Sequence, residues 1–183
     1  MTTTFTLDPN HTRLGFTAKH LMVTTVRGHF KDFEGQVQLE KAGDPLTARA
    51  TVGVRTASIE TGVADRDNHL RSEDFFAAET YPELSYRSTT IEDLGDRRYR
   101  VTGDLTVRGT TRPVTLEVEV EGPIQDPWGN QRVGVSATGT LNRKDWGLSW
   151  NRVLEAGTLL VSDQIKLEIE AALVSRPAAV EAA

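Results

Sequence analysis

The sequence predicts an all-β fold: an eight-stranded antiparallel barrel with a short helical insert at about residues 62–80. Three observations lead there. β-Branched residues abound, with 23 Thr and 17 Val among 183 residues, and they suit a pleated surface better than a helix. Apolar and polar residues alternate in eight separate runs, as strands with one dry and one wet face require. Turn-forming clusters separate those runs.

The runs follow in order. Leu14, Phe16, Ala18 and His20 share one phase, and Phe33, Gly35, Val37 and Leu39 the next. Ala48 to Val54 and Leu84 to Ser88 continue the alternation. The clearest pair is Tyr99, Val101, Gly103, Leu105, Val107 and then Val114, Leu116, Val118, Val120. Val133 to Leu141 and Ile165 to Leu173 complete the eight, and Thr2 to Leu7 suggests a further short strand. Turn signals stand at Gly43-Asp44-Pro45, Leu94-Gly95-Asp96, Arg108-Gly109-Thr110 and Asp126 to Asn130. One-sided alternation at hairpin spacing implies antiparallel pairing. A two-sheet sandwich would show the same pattern; closure into a barrel is preferred because it leaves no exposed edge.

Gly35, Gly103 and Gly139 interrupt the dry face. They mark either wall curvature or room for a ligand. The stretch from Gly62 to Tyr81 loses the alternation. It reads as two short helices, the second capped by Ser72 with Glu73 and Asp74 in its first turn.

Composition narrows the function. Charged residues make up 26% and the net charge is −5, which suits a globular chain and disfavours a nucleic-acid binder. There is no Cys, so disulfides, thiolate metal sites and Cys nucleophiles are excluded. The longest apolar run is four residues, as in Phe75 to Ala78, far short of a membrane-spanning helix. Glu117, Glu119 and Glu121 alternate with aliphatic residues as a solvated outer face, so the barrel is not read as membrane-embedded. The first residues lack a basic region and an apolar run, and the expectation is a cytoplasmic protein. No nucleophile elbow or phosphate-binding loop is present.

Several ordered blocks resemble the YceI-like family of lipocalin-like, polyisoprenoid-binding proteins. They include Asp8-Pro9-Asn10-His11-Thr12, Val26-Arg27-Gly28-His29-Phe30 and Ser58-Ile59-Glu60-Thr61-Gly62. Arg66-Asp67-Asn68-His69-Leu70, Ser72 to Phe76, Gly103 to Val114 and Arg143-Lys144-Asp145-Trp146-Gly147 continue the match over about residues 3 to 174. The resemblance implies a lipocalin-like barrel over residues 1–174. Its apolar tunnel would bind, and carry or sequester, a long-chain isoprenoid or other lipid of the polyprenyl quinone or polyprenyl phosphate type. It implies a non-enzymatic role, no cofactor and a homodimer. Residues 175–183 read as a flexible C-terminal tail.

Candidate lining residues come from four stretches: Phe16, Ala18 and Met22; Phe30 and Phe33; Leu70, Phe75 and Phe76; Leu84, Tyr86 and Trp146. A tunnel wall and a plain core use the same residue types. Arg66 and His69 are candidates for a ligand head group, with a structural loop tie as the other reading. If Thr24-Thr25 is a hairpin turn, His20 and His29 fall opposite each other. With His69 nearby, they would supply a metal-dependent or acid–base enzyme, the alternative to lipid binding.

Overall fold

The computed structural model describes residues 2–176. Its strands are β1 (Thr3–Leu7), β2 (Arg13–His20), β3 (Thr24–Phe30), β4 (Phe33–Leu39), β5 (Ala48–Arg55) and β6 (Ile59–Glu60). After helix α1 (Ala64–Arg71) come β7 (Glu83–Gly95), β8 (Arg98–Val107), β9 (Thr110–Gln125), β10 (Gln131–Asn142) and β11 (Gln164–Ser175).

Two pairs of strands are halves of bent arms. β1 and β2 both lie along β11, through Thr6–Val174 and Phe16–Leu167. The 3-10 turn Pro9–His11 breaks the arm between them. β3 pairs with β2 while β4 pairs with β1, so Lys31 and Asp32 interrupt a second arm. Counted by arms, eight antiparallel strands close into a ring, with β11 returning to β1 and β2. The barrel expectation holds, and the sandwich is excluded. Each expected run falls in one arm, and the suggested strand near residues 2–7 is β1. β3 lacks a sequence signal of its own, because Gly28 breaks its inward face between Val26 and Phe30.

Cross-strand partners confirm the dry phase. Leu14 faces Phe30, Val101 faces Leu116, and Ala137 faces both Val118 and Ile169. The register also assigns the two ends. At one end lie the β2–β3 turn, the insert between β6 and β7, the Arg108–Gly109 turn and the long connection 143–163. We call this the helix end. At the other, the hairpin end, lie the connections 40–47, 96–97 and 126–130.

The insert holds one helix, not two. α1 is short for a free helix and is held by its neighbours. The Arg71 guanidinium donates to the Ala57 carbonyl oxygen at 2.7 Å and to that of Ile59 at 3.0 Å. Asp65 and Asp67 in its first turn and His69 and Arg71 in its last complement the helix dipole. Ser72 closes α1 rather than opening a second helix, its hydroxyl donating to the His69 carbonyl oxygen at 2.6 Å. Residues 72–80 then run through successive turns, with Ala77 in the left-handed region at φ 48°. A helix would put Phe75 and Ala77 about 200° apart; the turns bury both.

Much of the buried core sits toward the helix end, while Phe5 and Leu173 are buried toward the other. One cluster joins Val107, Val114, Leu116, Trp146 and Leu148; another joins Phe30, Val54 and Ile59. Of the expected tail, Ser175 ends β11, paired with Gln131. Residues 177–183 lie outside the described residues.

Candidate functional site

The candidate site is the barrel interior, and its two halves differ. Near the helix end the inward residues Val54, Val107 and Val114 are buried. Toward the hairpin end Val37, Ala50, Val101, Val120, Val133 and Val135 face inward on the same phase and remain only half-buried. The wall there is apolar, with Phe5 and Leu173 buried in it and Val101, Val120 and Val135 packed against the core.

Two large side chains lie over glycines of neighbouring strands. The Phe16 ring covers Gly28 on the neighbouring strand, in the space a Cβ would take. The Tyr86 ring covers Gly103 in the same way, and its hydroxyl reaches the Val114 carbonyl oxygen two strands on, at 3.5 Å. At Gly35 and Gly139 a Cβ would come within 2.6 Å of Leu7 Cδ1 and 2.8 Å of Leu116 Cδ2. These interior glycines make room for the chain's own side chains, not for a ligand. The low-dielectric setting, with Asp104 adding to it, pushes the Tyr86 phenol up to about 12.

The helix end is closed by an aromatic plug. Phe30 packs against Phe16 and Phe76, each with ring centroids 5.9 Å away. Phe33, Leu70 and Leu84 pack on the same cluster, and Phe76 and Leu84 also touch the other. Trp146 is buried, and its indole N–H donates to the Leu105 carbonyl oxygen at 2.9 Å. Phe75 stacks beside His69 and Trp150, and His69 Nε2 lies 2.8 Å from Asp74 Oδ2. Two arginines hold this plug. Arg108 donates to the Phe75 carbonyl oxygen at 2.9 Å. Buried Arg143 donates to the carbonyl oxygens of Ser162 at 2.9 Å and Leu148 at 2.6 Å, with its guanidinium 5.9 Å from the centre of the Phe75 ring.

Most of the expected lining residues are therefore brought together. Phe16, Phe30, Phe33, Leu70, Phe76 and Leu84 share the Phe30 cluster, and Tyr86 and Trp146 share the other. Ala18 faces inward opposite Val26, and buried Phe75 belongs to the plug. Three assignments are corrected. Met22 is 56% exposed, on a turn that puts Leu21 and Met22 at φ 52° and 57°. Arg66 turns back on its own loop, donating to Thr61 Oγ1 at 2.6 Å and to the Thr61 carbonyl oxygen at 2.8 Å. Buried Asp67 ties the same loop by accepting the Thr61 N–H. Both residues thus tie the loop, Asp67 through the Thr61 N–H and Arg66 through Thr61 rather than through a carboxylate. His20 lies exposed at the rim, bridged to Val161.

The histidine alternative fails on register. The turn occupies Leu21–Val23, not Thr24-Thr25, so His20 pairs with Thr24 and His29 with Gly15. His29 points outward, with Nε2 3.5 Å from Glu60. Burial, aided by Arg13, pulls its imidazole below the usual range. No group of three His, Cys, Asp or Glu side chains able to hold a metal occurs among the described residues.

Trp150, Arg108 and Arg143 escaped the sequence reading of the site. Arg143 had a signal, since it opens the Arg143 to Gly147 block, but nothing in that block shows that its charge is buried.

The comparisons with known proteins agree with this geometry. The family model described as YceI-like domain matches residues 5–173. The chain belongs to the YceI-like family. A UPF0312 protein of Staphylococcus aureus (strain N315) is 36% identical to this YceI-like chain over 170 residues, covering 92% of it and 96% of the relative. A UPF0312 protein of Photorhabdus laumondii is 41% identical over 136 residues, 74% of this chain and 70% of the relative. Among solved structures, BcnA of Burkholderia cenocepacia superposes with a TM-score of 0.78 at 22% identity, covering 91% of this chain and 98% of that one. The Campylobacter jejuni YceI protein gives 0.74 at 27% identity, with 87% and 90% covered. A polyisoprenoid binding domain from Saccharophagus degradans gives 0.62 at 16% identity over 94% and 98%. The likenesses to BcnA and to this domain are likenesses of fold.

Proposed function

We propose that this YceI-like chain binds a long-chain isoprenoid or related lipid inside its barrel, as a non-enzymatic carrier or sequestering protein. The observation that carries this reading is the half-buried apolar wall toward the hairpin end. Farther along the same apolar face, Phe16 and Tyr86 lie over glycines of the neighbouring strands. The polyisoprenoid binding domain of the same fold supports it. So does the energetics. Each buried CH₂ contributes roughly 0.8 kcal/mol, and even about 0.3 kcal/mol per atom gives useful affinity to a chain of some tens of carbons. The plug stops the chain at the helix end.

Native mass spectrometry of the freshly purified protein tests this. The expected result is a co-purifying lipid, or stoichiometric uptake of an added polyprenol. Val101→Trp, which fills the half-buried stretch, is expected to abolish uptake in a folded protein, while Val101→Ala retains it. A parent that takes up no polyprenol, or a Val101→Trp variant that takes up as much as the parent, overturns the proposal.

A further inference from the structure

Two turns at the helix end are apolar at their tips. The β2–β3 turn leaves Met22 56% and Val23 79% exposed. In the connection 143–163, Val153 is 67% and Leu154 36% exposed. The backbone sets these turns side by side. The Leu21 N–H donates to the Leu160 carbonyl oxygen at 2.9 Å, and the Leu160 N–H to the Arg152 carbonyl oxygen at 3.0 Å. Bridges join His20 to Val161 and Val153 to Leu159. The four exposed side chains therefore stand on one corner of the barrel, on strands about 10 Å apart.

The β2–β3 turn is strained for the residues it carries. The Val23 N–H donates to the His20 carbonyl oxygen at 3.1 Å, with Leu21 and Met22 between them at φ 52° and 57°. Two central residues of positive φ suit Asn-Gly; Leu and Met hold that backbone against their own side chains. Met22 recovers nothing by burial, so folding does not explain it, and strain of this kind accompanies function. Charge points to the partner. From Pro9 to Lys31 there is no Asp or Glu, while Arg13, Lys19, Arg27 and Lys31 are basic, in a chain of net charge −5. Lys19 and Arg27, nearest the turn, are exposed. The neighbouring turn adds Arg152 against Glu155. The insert brings Asp65, Glu73, Asp74 and Glu79 to the same end, but Arg108 takes up Glu73 and His69 takes up Asp74.

We propose that this corner docks on an anionic bilayer. Met22, Val23, Val153 and Leu154 enter the interfacial layer, and Lys19, Arg27 and Arg152 meet the lipid phosphates. Tips that protrude this far offer no hollow for a folded partner to fill, whereas a bilayer closes around an inserted side chain. The docking goes beyond the lipid-binding reading above and does not depend on it. Flotation of the full chain with vesicles of equal parts phosphatidylcholine and phosphatidylglycerol is the measurement. The parent is expected to float with these vesicles and not with pure phosphatidylcholine. Its binding should weaken about ten-fold as salt rises from about 0.1 M to about 0.5 M. Met22→Ser/Val23→Ser is expected to weaken binding about ten-fold, and Lys19→Glu/Arg27→Glu by at least as much. Met22→Gly separates docking from folding: it relieves the strained backbone, so the urea midpoint holds or rises while flotation falls. Four results overturn the proposal: no flotation of the parent with the anionic vesicles, equal flotation with pure phosphatidylcholine, undiminished flotation of Met22→Ser/Val23→Ser, or a parent dimer that the same pair converts to monomer, which would mean a second copy covers the corner.

Discussion

The Tyr86 ring occupies the space that a side chain at Gly103 would fill, and its hydroxyl spans β8 to meet the Val114 carbonyl oxygen at 3.5 Å. Any Cβ at position 103 would also come 2.6 Å from the Arg87 carbonyl oxygen. Gly103→Val is therefore expected to destabilise the fold by about 1–3 kcal/mol through overpacking, read from urea unfolding. Adding Tyr86→Leu should recover only part of that loss, because the clash with Arg87 persists. Full recovery would mean the ring alone sets the constraint.

The same tyrosine has an alkaline signature. Burial raises the Tyr86 phenol from 10.0 to about 12, so the folded state keeps a proton that the unfolded state releases. Its contribution to stability is intact below pH 10.0 and lost as pH rises toward about 12. Absorbance of tyrosinate during titration should show one late-ionising phenol, absent in Tyr86→Phe.

Trp146 closes the helix end with one hydrogen bond. Trp146→Phe leaves the Leu105 carbonyl oxygen without its donor and opens a small void. A loss of about 2 kcal/mol is expected, with reduced near-ultraviolet circular dichroism. A variant as stable as the parent would show that the indole N–H contributes nothing there.

Arg143 secures the long connection 143–163. Its Nη2 lies buried 3.5 Å from Asp163 Oδ1, and neither atom has a hydrogen-bond partner. Burial pulls the guanidinium below its usual range, with Asp163 opposing. Arg143→Met orphans the Ser162 and Leu148 carbonyl oxygens and is expected to cost about 3 kcal/mol. Limited proteolysis should then cut first between residues 148 and 162; cleavage elsewhere would place the weak point outside this connection.

Asp126 predicts acid sensitivity at the hairpin end. Burial would raise its carboxyl, but donors on Asn130, Arg132 and Trp128 outweigh burial and hold it at about 2, against an ordinary 3.8. The unfolded chain therefore takes up the proton first. The contribution is complete above pH 3.8 and fades as pH falls toward about 2. Amide exchange at Trp128 and Asn130 should accelerate across that window in the parent. In Asp126→Asn it should be fast at every pH.

The sequence by itself determined the wall. Period-two alternation records which face of each strand is dry, since successive side chains must point opposite ways, and every inward phase from Leu14 to Leu173 survives in the structure. Most of the apolar site was legible for that reason. Tertiary structure decided what alternation cannot encode. Register moved the β2–β3 turn to Leu21–Val23 and put His29 outside, which dissolved the histidine cluster. The joint burial of Phe75, Ala77 and Ala78 replaced an expected helix with turns. Thr61 drew Arg66 away from the interior, because a guanidinium takes the nearest acceptors that satisfy its donors. Alternation reports only which way a side chain faces. Partners, and how deeply each inward residue is buried, depend on distances between residues far apart in the chain.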